Sequence, residues 1–113
     1  MRILHMDDYA GWRALVQEVL SDHDVTSVGD ALEGLQLVED TTPDLVIVDS
    51  EMPGMSGVQV IAALVARGYP PRRILMLSAA LGADTQAQAT ALGVTFLGKE
   101  EAAQLSTVVA TLR

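Results

Sequence analysis

The sequence predicts an α/β domain built on a parallel five-stranded sheet with helices on both faces. Three observations carry this reading. Short apolar runs recur five times, amphipathic stretches at helical spacing separate them, and turn-forming residues mark the joins.

The elements follow in order. Ile3–Met6 is the first apolar run, and Trp12, Leu15, Val16, Val19 and Leu20 then line one face at helical spacing. Val25–Val28 is the second strand, followed by a shorter helical face of Leu32, Leu35 and Val38. Pro43 precedes the third run, Leu45–Val48, and Pro70-Pro71 precede the fourth, Ile74–Leu77. Neither of these two runs alternates with polar residues, as expected of strands covered on both faces. Between them Val58, Ile61, Leu64 and Val65 supply the third helical face. The Ala-rich stretch from Asp84 to Leu92 is the weakest helix, with few large side chains to pin it, and Gly93 ends it. Val94–Leu97 is the fifth strand, and Leu105, Val108, Val109 and Leu112 mark the last helix. With no repeat or linker, residues 1–113 read as one domain with right-handed crossovers.

Composition narrows the function. There are no cysteines, which excludes a disulfide scaffold and a thiolate metal site. No apolar stretch is long enough to span a bilayer, and the N-terminus lacks the apolar run of a signal peptide. The expectation is a cytoplasmic chain with no membrane contact. A formal charge of −8 argues against direct nucleic-acid binding, which demands a basic surface.

In such a sheet, ligands bind beyond the C-terminal strand ends. Asp7 and Asp8 follow the first strand, Asp49 the third, Ser78 the fourth, and Gly98 and Lys99 the fifth. Three carboxylates, a hydroxyl and an ammonium therefore converge on one rim. Clustered carboxylates raise one another's pKa unless a cation intervenes, and Mg²⁺ suits a sparse all-oxygen site. An Asp carboxylate can act as nucleophile toward phosphorus. Phosphoryl transfer needs charge balanced on three equatorial oxygens, and the metal, Lys99 and Ser78 meet that need.

Plainer readings exist for each residue. Asp8 also reads as the first helix N-cap, Asp49 as a solvated loop acid, Ser78 as a loop serine and Lys99 as a solvated lysine. His5 reads as a hydrogen-bonded core histidine, and Trp12 as packing near the rim, placed to report on the site. Met6, Met52, Met55 and Met76 read as packing residues.

Four pieces in order carry a family resemblance: Ile3 to Asp8; Pro43 through Asp49, Met52, Pro53 and Gly57; Leu77-Ser78-Ala79; and Phe96-Leu97-Gly98-Lys99. Over essentially its whole length the chain resembles the receiver domain of two-component response regulators. The resemblance implies a flavodoxin-like fold with strand order 2-1-3-4-5 and five helices. It implies that Asp49 accepts a phosphoryl group from a histidine kinase or histidine phosphotransfer protein. Asp8 and Asp49 would bind Mg²⁺ directly, Asp7 mainly through water, and the Glu51 backbone carbonyl would be a further ligand. Lys99 would pair with the phosphoryl group and Ser78 would swing toward it. Phe96 matches the switch aromatic that couples to the surface of helix four, strand five and helix five. The implied partners are that donor and a downstream protein or separate output domain, with a homodimer on phosphorylation as a further option.

Two positions depart from the pattern. Glu100 stands where the family usually has a proline after the lysine, joined by a cis bond. A non-proline cis bond costs about 3–4 kcal/mol, so a trans bond is expected, with the Glu100 carboxylate competing for Lys99. Glu51 is an acid at a variable position, able to reach the metal or repel a phosphodonor. The departures motivate a second reading, an unphosphorylated receiver-like interaction scaffold. A third is an aspartate phosphatase of the haloacid dehalogenase type. That type needs an Asp two residues after its nucleophile, where this chain has Glu51, and more length for a cap. A phosphoacceptor signalling domain, not an enzyme acting on an external substrate, is the leading expectation. The expectation is either a complete single-domain regulator or a receiver excised from a longer protein, and the abrupt end of the last helix leans slightly toward the second.

Overall fold

The structure is a computed structural model and describes residues 1–79 and 83–112. Residues 80–82 and Arg113, part of the expected single domain, lie outside the described residues. The chain runs β1 (Arg2–Met6), α1 (Ala10–Val19), β2 (Asp24–Val28), α2 (Ala31–Thr41) and β3 (Leu45–Val48). After a small hairpin of Glu51–Met52 against Met55–Ser56 come α3 (Gly57–Ala66), β4 (Ile74–Ser78), α4 (Ala83–Ala91), β5 (Thr95–Gly98) and α5 (Leu105–Thr111). All neighbours in the main sheet are parallel, in the order β2-β1-β3-β4-β5, the expected flavodoxin-like topology with five helices among the described residues.

The uninterrupted apolar strands explain the layering. Odd positions of β1 and β3 (Ile3, Leu45, Ile47) join Leu75, Leu77 and Leu97 against Val16 and Leu20 of α1 and Leu105 and Val109 of α5. Even positions (Leu4, Met6, Val46, Val48) join Ile74 and Met76 against Leu35 of α2, Val60, Ile61 and Leu64 of α3, and Ala89 of α4. Strand alternation thus feeds two cores from one sheet. Each large aliphatic side chain so buried contributes about 1.5–3 kcal/mol, which makes β1, β3 and β4 the rigid frame. Among the described side chains of α4 only Ala89 is buried in that core, in keeping with its weak apolar pattern. Among the described residues no helix is long and apolar enough to cross a membrane.

The structure refines several boundaries. Ser78 is the last residue of β4, because it pairs with Gly98 in the register that joins Leu75 to Thr95. The fifth strand accordingly begins at Thr95, one residue later than the apolar run suggested. A 3₁₀ segment, Lys99–Gln104, precedes α5. His5 is buried, with Nδ1 3.4 Å from the Ser27 hydroxyl, while Nε2 has no partner among the described residues. Burial lowers its pKa from 6.5 to about 4, against the opposing pull of Asp7, so the ring is neutral at physiological pH.

The turn after β3 is fixed by two glycines. Gly54, at φ 79°, follows Pro53 in the two-residue hairpin loop, a position that needs positive φ. Gly57 opens α3 against the backbone of Asp49: its N–H donates to the Ser50 carbonyl at 2.8 Å, and a Cβ there would run into the Asp49 carbonyl oxygen. Ser56 and Gln59 close a reciprocal capping box at the same helix end. Replacing Gly57 by Ala should therefore force the Asp49 backbone outward. Overpacking of this kind costs about 1–3 kcal/mol, or a Tm lower by roughly 4–12 °C for a domain this size. Thermal unfolding followed by circular dichroism checks this, and an unchanged Tm contradicts it.

Candidate functional site

The rim is built by extending the strand ladders one residue past each end. The Asp7 N–H donates to the Val28 carbonyl at 3.0 Å, and the Asp49 N–H donates to the Met6 carbonyl at 2.9 Å. Both backbones are thereby locked to β1 and its neighbours. Asp7 is fully buried, Asp49 nearly so, and Asp8 is exposed, yet one oxygen from each lies within 4.8 Å of the other two.

Lys99 answers this cluster from the end of β5. Its side chain is buried, with Nζ 2.8 Å from Asp7 Oδ2 and 3.3 Å from Asp49 Oδ1. The indole of Trp12 covers the ammonium, with Nζ 4.9 Å from the ring centroid. Asp7 Oδ1 accepts from the Tyr9 N–H at 2.9 Å, and the Arg13 guanidinium donates to the Asp7 carbonyl at 2.8 Å. Among the described residues Asp7 Oδ2 has no aligned hydrogen bond, so its approach to Lys99 is a charge contact at 2.8 Å. Burial pushes the Asp49 carboxyl above its ordinary value of 3.8, and the Asp7 charge pushes the same way. Lys99 pulls it down without cancelling the effect.

One ammonium against three carboxylates leaves the site short of positive charge. The donor set is all oxygen, and the buried Asp7 Oδ2 lacks an aligned donor. These residues fit a hard divalent cation such as Mg²⁺. Asp8, Asp49, Ser50, Glu51, Met52, Pro53, Ala79 and Lys99 line an open cavity of about 380 Å³, polar and wide enough for a phosphoryl group.

The structure decides among several alternatives. Asp8 is not the α1 N-cap; Tyr9 holds that position without a side-chain bond. Lys99 is not solvated, and Asp49 is not a loop acid in water. Among the described residues no peptide bond is cis, so Lys99–Glu100 is trans as expected. The expected competition from Glu100 does not arise. Its side chain folds over Gly98, where a Cβ would collide with its carboxylate, and the Lys99 ion pairs are with Asp7 and Asp49. The Glu51 side chain is exposed at the cavity wall, outside the three-carboxylate group. Phe96 is half-buried in β5, against the core shared by α2, α3 and α4.

Two residues went unassigned in the sequence. The Ser78 hydroxyl donates to the Ser50 hydroxyl at 2.5 Å, in a buried contact across β3 and β4. A serine directly after Asp49, amid apolar runs, was the only available signal. Arg13, six residues after Asp7 on α1, reaches back over the loop to the Asp7 carbonyl, and no motif in the sequence marks it.

The family model for the response regulator receiver domain matches residues 3–110. The chain is 31% identical over 97 residues to a protein-glutamate methylesterase/protein-glutamine glutaminase of Koribacter versatilis, covering 82% of this chain and 27% of that protein. It is 30% identical over 82 residues to the chemotaxis protein CheY of Listeria monocytogenes, covering 70% of this chain and 68% of that one. The solved receiver domain of the response regulator NarL from Mycobacterium tuberculosis superposes with a TM-score of 0.85 at 30% identity, over 97% and 93% of the two chains. The chain spans between 20% and 32% of the first four methylesterases it matches.

The raised Asp49 pKa gives a pH-dependent expectation. The native state binds this proton more tightly than the unfolded chain, so stability falls as pH rises from 3.8 through the folded value. In metal-free buffer at pH 7, Asp49→Asn should raise Tm by a few degrees, and the gain should vanish below pH 3.8. Paired thermal melts across pH test this, and a destabilised Asn variant at pH 7 contradicts it.

Proposed function

We propose that this chain, which belongs to the response regulator receiver domain family, is a phosphorelay switch in which Asp49 accepts a phosphoryl group. The donor is a phosphohistidine on a histidine kinase or histidine phosphotransfer protein. A cytoplasmic placement belongs to the same reading. The observation that carries it is the buried Asp49 carboxylate, raised in pKa, facing an open cavity beside Asp7, Asp8 and a buried Lys99.

Asp49 attacks phosphorus through a carboxylate oxygen, the phosphorus–nitrogen bond to the donor histidine breaks, and an acyl phosphate forms. Asp7, Asp8, Asp49 and the Glu51 backbone carbonyl would hold Mg²⁺, which when bound neutralises charge on a phosphoryl oxygen. Lys99 already stands 3.3 Å from Asp49 and balances a second oxygen. Ser78 donates to a third after leaving Ser50. That departure frees space at the end of β4, and Phe96 on the neighbouring strand follows inward. The α4–β5–α5 surface changes as a result, and a downstream protein or output domain reads it, with homodimer formation one form of readout. The chain acts on its own Asp49 and turns over no external substrate. The methylesterase activity named for some relatives is not assigned to it.

An unphosphorylated interaction scaffold is the second reading. The exposed Glu51 carboxylate at the cavity wall favours it, since it adds negative charge where an anionic donor must enter.

Incubation with acetyl phosphate and Mg²⁺ tests the proposal by intact mass. One added phosphoryl group is expected, absent with EDTA and absent in Asp49→Asn. An Asn variant that still took up phosphate at the wild-type level would place the nucleophile elsewhere. No adduct from any small phosphodonor, together with no Mg²⁺ binding, would establish the scaffold reading.

A further inference from the structure

Among the described residues the Lys99 ammonium meets the Asp7 carboxylate, the Asp49 carboxylate and the face of Trp12. The two anionic neighbours are also the groups that a divalent cation would take. Asp49 in addition gives up its charge to the phosphoryl group once an acyl phosphate forms. Both therefore loosen their hold on Lys99 at the moment its position matters. The indole does neither. Its negative face binds no hard cation competitively with water and keeps its quadrupole through the reaction.

Lys99 has few other restraints. A lysine is a point charge on a flexible four-carbon stem, with three donors that fit many geometries. No proline follows it, and Glu100 turns over Gly98 instead of toward the ammonium. Trp12, by contrast, is well fixed. It lies in the first turn of α1, where its backbone N–H donates to the Tyr9 carbonyl at 3.1 Å. The next residue, Arg13, donates to the Asp7 carbonyl at 2.8 Å, which ties the first turn of α1 to the acidic loop.

We infer that Trp12 is a positioning residue for phosphoryl transfer, its indole face holding the Lys99 ammonium over Asp49 when the carboxylates are engaged elsewhere. This rests on the receiver reading of the site. Cation–π contacts of a desolvated ammonium correspond to roughly a threefold to thirtyfold effect on a rate or equilibrium.

Trp12→Leu and Trp12→Phe separate the aromatic face from mere volume. With acetyl phosphate at saturating Mg²⁺, Trp12→Leu should be phosphorylated roughly threefold to thirtyfold more slowly than wild type. Trp12→Phe should recover most of the rate. Mg²⁺ affinity by calorimetry should change less than about twofold in either, since the ring acts through its contact with the Lys99 ammonium. A wild-type rate for Trp12→Leu overturns the inference, as does a Phe variant as slow as the Leu one or a parallel loss of Mg²⁺ affinity. A second arm leaves position 12 intact. Trp12 is the only tryptophan, so its emission reports the contact, and Lys99→Met should shift it. An unchanged spectrum overturns the contact even if Trp12→Leu fails to fold. Absence of any wild-type adduct counts against the receiver reading itself, whereas a wild-type adduct with an indifferent Trp12 counts against this inference alone.

Discussion

Everything at the rim follows from holding three carboxylates together with one ammonium. Asp7 and Asp49 are carried into the low-dielectric end of the sheet by backbone hydrogen bonds that continue the β1–β2 and β1–β3 ladders. They cannot relax apart without breaking those bonds. Lys99 arrives from β5, the far edge of the sheet, and its two short contacts compensate part of the charge. A buried cluster with a charge deficit is a poor way to stabilise a domain, because desolvation outweighs much of the Coulomb gain. It is a good way to bind a divalent cation and an anionic group in turn.

The same constraint links the site to the rest of the chain. Gly57 lets α3 start directly against the Asp49 backbone, so movement there reaches a helix at once. On the other side, Ser50 follows Asp49 and already engages Ser78, which ends β4 next to Gly98 of β5. Ser50 and Ser78 thus link the Asp49 backbone to the end of β5. The proposed switch requires two discrete arrangements of the Ser78 hydroxyl, one on Ser50 and one on the phosphoryl group.

Much of the fold was legible because parallel strands leave a strong trace. Leu45–Val48 and Ile74–Leu77 have no polar alternation to mislead, and each is followed at once by a polar residue that marks the rim. Asp7, Asp8, Asp49, Ser78 and Lys99 all follow from that rule alone, independently of the family resemblance. What escaped was side-chain direction. Sequence spacing could not show that Glu100 folds over Gly98 away from Lys99, or that Ser78 rests on Ser50. Nor could it show that Trp12 sits on an ammonium and not merely in the core beside it. Those outcomes depend on rotamers chosen among close competitors, and a one-dimensional pattern carries no record of them. Strand ends drifted by one residue at β4 and β5 for a related reason: the hydrogen-bond register extends past the apolar run.

The most direct test of the coupling between charge and shape is a crystal structure with Mg²⁺ and beryllofluoride, a mimic of the phosphoryl group. Beryllium should be bonded to an Asp49 oxygen, with Lys99 on a fluoride and the Ser78 hydroxyl moved from Ser50 to another fluoride. A complex in which beryllofluoride occupies Asp49 while Ser78 stays on Ser50 would contradict it, leaving a phosphoacceptor without the switch.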